Sequence, residues 1–284
     1  MKRIAVLLTV FNRKEGTLKC LANLRNVDLP EGYRIDIYMT NDGCTDGTPE
    51  AVREQFPEVT IVEGDGTLFW NRGMYKAWEA AAKAYDYDYY LWLNDDTFVY
   101  NDIVTTLIEA SLTKKTNAIV VGATVDISTK SKATYGGRIE GKGIAPMQGK
   151  MTKVDYFNGN IVLVPASVFH IIGNLDYYFT HSKGDFDYGL RARKAGFEIY
   201  QCGKPLGECD VHPRIDKWCD PDVPFKKRWK LLNRPNGMPP KETYHLEKRH
   251  KGKFIAIFHF CTIITRCLFP LLWIWRNTAK GNDA

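Results

Sequence analysis

Residues 85–97 read YDYDYYLWLNDDT, and this stretch decides how the rest of the chain folds. Residues 89–93 form a short, aromatic-rich apolar run, which predicts a strand buried on both faces. Two adjacent carboxylates, Asp95 and Asp96, follow it. In open α/β sheets, ligands bind at the carboxyl ends of strands, where carboxylates suit Mg²⁺ or Mn²⁺. The alternative is that Asn94 and these two acids are turn formers, one of which caps the next helix.

Length and composition are those of a globular protein. The 284 residues suffice for one large α/β domain with an appendage, or for two modest domains. The net charge of +6 is partly concentrated in five lysines and arginines between residues 241 and 253. Because no nucleic-acid-binding motif accompanies this charge, we expect an anionic membrane or an anionic substrate as partner, and no nucleic acid.

The seven cysteines, an odd number, indicate a reduced, cytoplasmic setting, since the N-terminus runs straight into an apolar strand without a signal peptide. Cys202, Cys209, His212 and Cys219 lack the short Cys-x-x-Cys spacing that structural zinc sites use. We therefore do not expect zinc.

Predicted strands and helices alternate along the first 97 residues. The strands are residues 3–10, 35–39, 59–62 and 89–93, and the helices between them include residues 18–24, 49–56 and 74–85. Such alternation is typical of right-handed βαβ units. We predict an α/β fold with a mostly parallel central sheet flanked by helices.

Polar loops follow the first, second and fourth predicted strands, at residues 12–13, 42–48 and 94–97. Loops that follow parallel strands lie on one edge of the sheet, so these three should converge. No Gly-x-Gly-x-x-Gly and no Gly-x-x-x-x-Gly-Lys-Ser/Thr occurs, which argues against a nicotinamide-binding domain and a P-loop NTPase.

Three motifs at these loops carry a resemblance. TVFNR (residues 9–13), NDGCTDGT (41–48) and LNDD (93–96) are similar to the three N-terminal motifs of family 2 inverting glycosyltransferases, which have the GT-A fold. The likeness covers residues 3–210. The Asp-Gly-x-x-Asp-x-Thr element, followed later by an Asp-Asp strand end, is its most specific part.

The resemblance implies roles for these polar residues. Asp42 is expected to contact the nucleotide base or ribose, Asp95 the sugar or ribose, and Asp96 a divalent metal, Mn²⁺ or Mg²⁺. A carboxylate only accepts hydrogen bonds, so Asp42 suits the imide N–H of uracil or thymine; its alternative is a turn residue. Asn94 stands where many relatives have an acid. The same nucleotide-sugar site is expected to include Thr9, Phe11, Asn12 and Arg13.

The loop GTLFWNRGM (residues 66–74) departs from the commoner Gly-Asn-x-Gly pattern of the family. It resembles a subgroup with an aromatic loop, which includes rhamnosyl- and galactofuranosyltransferase-like sequences. Trp70 is expected to stack on base or sugar, with core packing as the alternative, and Arg72 is expected to meet phosphate.

The second half of the predicted domain supplies acceptor-side elements. Residues 127–155 are rich in Gly, Lys and Thr, which indicates a hairpin or mobile flap. Residues 157–165 form a predicted strand entered through Asn158 and Gly159, where the glycine permits close backbone approach to a ligand. We place these two residues, and His181, on the acceptor side.

The segment GDFDYGLRARKAG (residues 184–196) predicts a helix with acids at its start and arginines in its body. It resembles the family's catalytic motif Glu-Asp-x-x-x-x-x-Arg, which makes Asp185 the catalytic base and Arg191 the anchor. Gly184 replaces the preceding acid of the motif. Asp187 lies on the acceptor side and is expected to be structural, paired with Arg191 at i,i+4.

Inversion by a single displacement needs a base for the acceptor hydroxyl and a cation for the leaving nucleoside diphosphate. Asp185 and a metal on Asp96 would fill these roles. Some relatives use a histidine after the last sheet strand, predicted here at residues 198–202, as an extra metal ligand; this implies His212.

The C-terminal segment contains a nearly unbroken apolar run at residues 255–275. Within it, His259, Thr262 and Arg266 would form one narrow polar stripe on a helix. We predict an amphipathic helix at about residues 253–276 that lies in the plane of an anionic membrane surface. A core or dimer helix and a true membrane span are the alternatives.

Together these features predict a GT-A domain at residues 1–210, with a nucleotide-sugar-binding half (1–97) and an acceptor and catalytic half (98–210), and a C-terminal extension (211–284). We expect transfer of a sugar from a UDP- or dTDP-linked donor to a glycan or lipid-linked glycan in surface polysaccharide synthesis. The enzyme would be peripheral on the cytoplasmic face of the membrane. The alternatives are a sugar-phosphate nucleotidyltransferase, in which Asp185 would have no task, and a catalytically silent sugar-nucleotide-binding protein.

Overall fold

A mixed β-sheet forms the centre of the computed structural model, which describes residues 1–115, 117–210 and 216–272. The strands found in these ranges are Lys2–Val10 (β1), Tyr33–Asn41 (β2), Val59–Glu63 (β3), Tyr89–Leu93 (β4), Phe98–Val99 (β5), Ala118–Val125 (β6), Ala133–Tyr135 (β7), Gly137–Ile139 (β8), Gly143–Ile144 (β9), Thr152–Lys153 (β10), Tyr156–Phe157 (β11), Ile161–Pro165 (β12) and Glu198–Glu208 (β13).

Helices cover both faces of the central sheet. The helices in the described ranges are Lys14–Arg25 (α1), Thr48–Gln55 (α2), Phe69–Ala84 (α3), Ile103–Thr113 (α4), Ala166–Ile172 (α5), Gly184–Lys194 (α6), Phe225–Leu232 (α7), Pro240–His250 (α8) and Lys253–Leu268 (α9). The first face packs against α1, α2 and α4, and the second against α3, α5 and α6.

The strand order across the central sheet is β10-β13-β6-β12-β4-β1-β2-β3. The pairs among β1, β2, β3 and β4 are parallel, as the alternation of strands and helices predicts. β12 is antiparallel to β4 and β6, and β13 runs parallel to β6. The predicted α/β fold, with a mostly parallel sheet flanked by helices, is therefore confirmed.

Strand β4 is buried on both faces because its alternate side chains enter two different hydrophobic cores. Tyr89, Leu91 and Leu93 belong to the core with α1 and α4. Tyr90 and Trp92 belong to the core with α3, α5 and α6. Burial stabilises the fold by about 1.5–3 kcal/mol for each large apolar side chain, so this strand contributes to both cores at once.

Helix α3 begins at Phe69, so Trp70 and Arg72 lie in its first turn and not in the predicted long loop. The carboxylate of Asp42, from the loop after β2, accepts hydrogen bonds from the backbone N–H groups of Leu68 and Phe69. The backbone N–H groups at the start of a helix have no acceptor within the helix. The Asp42 carboxylate supplies one, and this cap allows α3 to start at Phe69. The cap comes from a distant loop, so local sequence does not reveal it.

Residues 127–155, predicted as a hairpin or flap, are distributed over two sheets. β7 and β10 pair with β6 and β13 of the central sheet, whereas β8 and β9 form a separate sheet with β11. The single strand predicted at residues 157–165 is also corrected: it is divided between β11 and β12. The division arises because the chain passes from the small sheet to the central sheet at residues 158–160.

The described residues divide into two compact units. The first comprises Met1–Thr180 with Gly184–Val211 and contains both sheets; the second contains α7, α8 and α9. Helix α9 begins at Lys253, as predicted, but it ends at Leu268 and does not continue unbroken toward residue 276, because Pro270 disfavours the helical conformation of Phe269. Residues 273–276 of the predicted helix lie outside the described residues. No helix in the described ranges is long and apolar enough to cross a membrane.

Candidate functional site

The polar loops after β1, β2 and β4 meet at one edge of the central sheet, as predicted. The Oδ1 atom of Asn12 accepts a hydrogen bond from the backbone N–H of Thr45 (2.7 Å), which joins the first loop to the second. The guanidinium of Arg13 pairs with the carboxylates of Asp95 (3.3 Å) and Asp96, which joins the first loop to the third. Residues far apart in the sequence thus form one cluster.

The two adjacent acids differ in their surroundings. Asp95 is buried and accepts a hydrogen bond from the hydroxyl of Thr17 (3.4 Å). Burial raises the pKa of Asp95 to about 7, although the positive charge of Arg13 opposes this rise. The Asp96 side chain is 41% exposed, and the thiol of Cys209 lies 3.8 Å from its Oδ1. Asp96 is therefore the more accessible of the two to a ligand.

A metal site made by the protein alone is absent from the part of the chain that the structure describes. There, no group of three His, Cys, Asp or Glu side chains is placed to hold an ion. His212, the predicted second ligand, lies outside the described residues, so its role stays a prediction.

Asp42 is a structural residue in addition to any role toward the nucleotide. Its Oδ1 accepts hydrogen bonds from the N–H groups of Gly66 (2.9 Å) and Leu68 (3.1 Å), and its Oδ2 from Phe69 (2.8 Å). A carboxylate offers about four acceptor positions, so about one is left for a ligand. The predicted contact with the base stays a prediction.

Trp70 packs into the protein, which is the alternative left open by the sequence. Its indole N–H donates to Oδ1 of Asn94 (2.7 Å), and its ring meets Trp92 edge-on. A Cβ atom at Gly159 would lie 2.4 Å from the Trp70 ring. The glycine thus permits close approach of this ring, and its role toward an acceptor stays a prediction.

Three other predicted donor-site residues, Arg72, Thr9 and Phe11, differ in their surroundings. The Nε of Arg72 donates to the backbone carbonyl of Tyr177 (3.0 Å), and the Arg72 guanidinium lies 5.0 Å from the centre of the Tyr177 aromatic ring. The side chain of Thr9 lies against Gly73, whereas Phe11 is exposed. The predicted phosphate contact of Arg72 would have to use its remaining N–H groups.

Asp185 lies in the first turn of α6, where two backbone N–H groups hold its carboxylate. Its Oδ1 accepts from Phe186 (2.8 Å) and its Oδ2 from Gly159 (3.1 Å). Burial raises the pKa of Asp185 to about 6, because the loss of water outweighs these hydrogen bonds, which favour the ionised form. The carboxylate is therefore more basic than an ordinary aspartate, although it starts a helix.

Asp187 has a different role from Asp185. It is fully buried and forms the predicted i,i+4 ion pair with Arg191 (2.8 Å). Arg191 also donates to the carbonyl groups of Ile172 (2.7 Å) and Asn174 (2.9 Å). Asp187 thus orients an arginine that holds the chain after α5, and its burial leaves no surface for an acceptor.

Asn158 and His181 are the other residues that the sequence predicts on the acceptor side. Oδ1 of Asn158 accepts a hydrogen bond from Arg138 (3.1 Å), and its backbone N–H donates to Gly136 (2.9 Å). His181 is half-buried. Their role toward an acceptor stays a prediction.

The model of the family described as glycosyl transferase family 2 matches residues 5–182, which is more than half of the chain. The chain belongs to this family. The resemblance expected from the three N-terminal motifs is thereby confirmed, and the rhamnosyl- and galactofuranosyltransferase-like subgroup stays a prediction.

Solved structures share the fold of this glycosyltransferase family member. S. aureus TarS 1-349 in complex with UDP is 11% identical with a TM-score of 0.57, and the match covers 99% of this chain and 92% of that one. The mannosyltransferase PcManGT from Pyrobaculum calidifontis, in complex with GDP-Man and Mn²⁺, is 16% identical with a TM-score of 0.55, covering 98% and 79%. The match to the longer S. aureus TarS structure spans 43% of that chain. No curated protein sequence matches.

Gly184, which stands where the motif that this segment resembles has an acid, lies against the side chain of Asn71. A Cβ atom at Gly184 would lie 1.6 Å from Oδ1 of Asn71, so a larger residue there would have to displace the Asn71 amide. The buried Asn71 amide donates to the carbonyls of Asp176 (2.9 Å) and Phe179 (2.8 Å). Asn71 therefore holds the chain that leads to Asp185. Sequence reasoning missed it, because the contact joins residues more than a hundred positions apart.

We expect Gly184→Ala to destabilise the protein by about 1–3 kcal/mol, because the new Cβ overlaps the Asn71 amide. In an Asn71→Ala background the overlap is absent, so the same change should cost less than about 1 kcal/mol. Urea unfolding of the four proteins measures this coupling. Gly189→Ala, in the same helix but next to Phe157 and Tyr156, is the control and should cost the same in both backgrounds. An unchanged cost for Gly184→Ala would contradict the contact.

Proposed function

We propose that the protein is an inverting glycosyltransferase that moves a sugar from a UDP- or dTDP-linked donor to a glycan or lipid-linked glycan acceptor. The observation that supports it most is a continuous path from the donor-side acids to Asp185. Asn94, next to Asp95, accepts the Trp70 N–H; the Trp70 ring lies against Gly159; and Gly159 donates to Asp185. The expected donor edge and the expected base are two ends of this path.

Asp185 would act as the base that removes the proton of the acceptor hydroxyl. Its pKa of about 6 leaves it ionised at neutral pH, yet more basic than an ordinary aspartate. The hydroxyl oxygen would form a bond to the anomeric carbon while the bond from that carbon to the diphosphate breaks. Attack from the side opposite to the leaving group inverts the configuration. The two N–H donors at Asp185 fix the orientation of its carboxylate.

The donor side would consist of Arg13, Asp95 and Asp96. Mg²⁺ is commonly held by one or two carboxylates together with substrate phosphates, so the accessible Asp96 carboxylate fits an ion shared with the donor diphosphate. Such an ion supplies positive charge to the departing nucleoside diphosphate. The PcManGT structure with GDP-Man and Mn²⁺ supports this assignment. Arg13 would keep Asp95 and Asp96 compensated before the donor binds.

We further place the enzyme at the cytoplasmic face of a membrane, where lipid-linked acceptors for surface polysaccharide are within reach. The apolar C-terminal segment and its neighbouring lysines support this location.

The basic carboxylate of Asp185 favours an enzyme over a silent binding protein. It also favours sugar transfer over nucleotidyl transfer, in which Asp185 would have no proton to remove.

A thermal-shift panel of UDP-, dTDP- and GDP-sugars, with and without Mn²⁺, tests the proposed donor. We expect a UDP- or dTDP-sugar to stabilise the protein by about 2.7 kcal/mol at 100 times its Kd. Asp96→Ala should remove the Mn²⁺-dependent part of this stabilisation. Asp102 is the matched control, since it is 43% exposed and ion-paired with Lys204; Asp102→Ala should keep the metal dependence. A panel without any response would refute the donor assignment, and a metal dependence that survives in Asp96→Ala would refute the role of Asp96.

Asp185→Asn should lower the transfer rate by about 10²–10⁴-fold, the range for loss of a general base, with nearly unchanged affinity for the donor. Asp187→Asn should instead lower the stability by about 1–3 kcal/mol, because it weakens a buried, charge-assisted hydrogen bond. Initial rates, calorimetric donor binding and urea unfolding of both variants separate the two roles. Loss of turnover in a well-folded Asp187→Asn protein, with an active Asp185→Asn protein, would show the roles reversed.

The rate of transfer should fall as the pH drops through about 6. Only the ionised carboxylate of Asp185 accepts a proton, and its pKa in the folded protein is about 6. The rate should therefore be near its plateau above pH 7 and decrease about tenfold per pH unit well below pH 6. Measurement of kcat/KM for the acceptor at saturating donor reports the pKa before the acceptor binds and avoids the effect of Asp95 on donor binding. A profile that stays flat between pH 5 and 8 would contradict this assignment.

A further inference from the structure

Helix α9 presents an apolar face outward within the second unit. The residues of this face recur at helical spacing and are exposed; they are Phe254, Ile257, Phe258 and Leu268. Leu271 and Leu272, which follow the end of α9, are exposed as well. A polar residue of the helix, His259, lies on another face, with its Nδ1 3.1 Å from Oε1 of Glu247 in α8. This is the reverse of an ordinary surface helix, whose polar face points to water.

Helix α7 carries a second exposed apolar group. Phe225 and Trp229, four residues apart, are 45% and 43% exposed, and their ring centres are 6.1 Å apart. Lys226, Lys227 and Lys230 of the same helix are exposed. Tryptophan beside lysine is typical of protein surfaces at a membrane–water interface, because the ring has an apolar body and a polar N–H group.

The buried side chain of Arg228 joins these two surfaces. Its Nε donates to the carbonyl of Cys267 (2.9 Å) and its Nη2 to that of Leu268 (3.5 Å), at the end of α9. These carbonyls have no partner within the helix. The Arg228 guanidinium also lies 6.0 Å from the centre of the Phe225 ring. The aromatic pair of α7 therefore adjoins the exposed end of α9.

The charges around the exposed apolar residues of α7 and α9 indicate which kind of partner binds there. Lys251 and Lys253 stand at the start of α9, and Lys226, Lys227 and Lys230 stand near its end. Two copies of the chain, packed through α9 in either direction, would bring basic groups against basic groups. An anionic lipid surface complements both ends at once.

We propose that α7 and the outward face of α9 form one membrane-binding surface that docks on an anionic lipid bilayer. Phe225, Trp229 and the apolar residues of α9 enter the acyl boundary, and the lysines contact lipid phosphates. The inference deepens the proposed location of the glycosyltransferase. Its test uses neither donor nor acceptor, so its failure is distinguishable from failure of the proposed activity.

Flotation of the full chain with vesicles tests this surface. We expect binding to vesicles of phosphatidylcholine and phosphatidylglycerol (3:1), and at least about tenfold weaker binding to phosphatidylcholine alone. Phe225→Ser with Trp229→Ser should weaken binding to the anionic vesicles by about tenfold or more. The triple change of Lys226, Lys227 and Lys230 to Gln should do so too, since each lysine near an anionic surface contributes about fivefold.

Matched variants on the first unit control for general effects. Leu112→Ser removes an apolar residue of similar exposure, 48%, and Lys132, Lys142 and Lys150 changed to Gln remove the same charge. Both should bind vesicles like the unchanged protein. Equal binding by the α7 variants and the controls would overturn the proposal. So would loss of a dimer in the α7 variants, seen by light scattering, with vesicle binding intact; this would assign the surface to a second copy.

Discussion

The adjacent carboxylates of Asp95 and Asp96 stand at the end of a strand that is buried on both faces. Arg13 compensates them from the loop after β1, the parallel neighbour of β4. The strand pairing and the ion cluster thus depend on each other, because a shift of register would separate the guanidinium from the acids. Burial leaves Asp95 with a raised pKa, whereas the exposed Asp96 can meet a ligand. The two neighbouring acids therefore differ in their exposure: Asp95 is buried, whereas Asp96 is accessible.

The first turn of α3 contacts both positions at which the chain differs from the motifs that it resembles. Asn94, where relatives have an acid, provides the amide oxygen that accepts the Trp70 N–H. Gly184, where the motif has an acid, leaves the space that the amide of Asn71 fills. Trp70 and Asn71, adjacent residues of α3, therefore contact two separate motifs, the first at Asn94 and the second at Gly184. Trp70 lies between the donor edge and Gly159, and Asn71 holds the chain before α6, so this turn links the expected donor site to the expected base.

Much of the fold was predictable because the relevant signals are local. Strand β4 has its predicted bounds, and the parallel order of the first strands follows from their alternation with helices. The early start of α3, capped by Asp42, was not predictable, because cap and helix are separated by more than twenty residues. The division of residues 157–165 between two sheets was missed for a related reason: periodicity shows a strand, but not which sheet it joins.

The sequence by itself determined the family, the buried strand with its two acids, the convergence of three loops, and the i,i+4 pair of Asp187 and Arg191. The family follows from three short motifs. The other features follow from residues within one turn or one strand, or from the rule that parallel strands end at one edge of the sheet. Only the tertiary structure decided that the Trp70 ring fills the space beside Gly159 and that burial makes Asp185 basic. Both depend on how distant segments close around a side chain and exclude water, and no local periodicity encodes that closure.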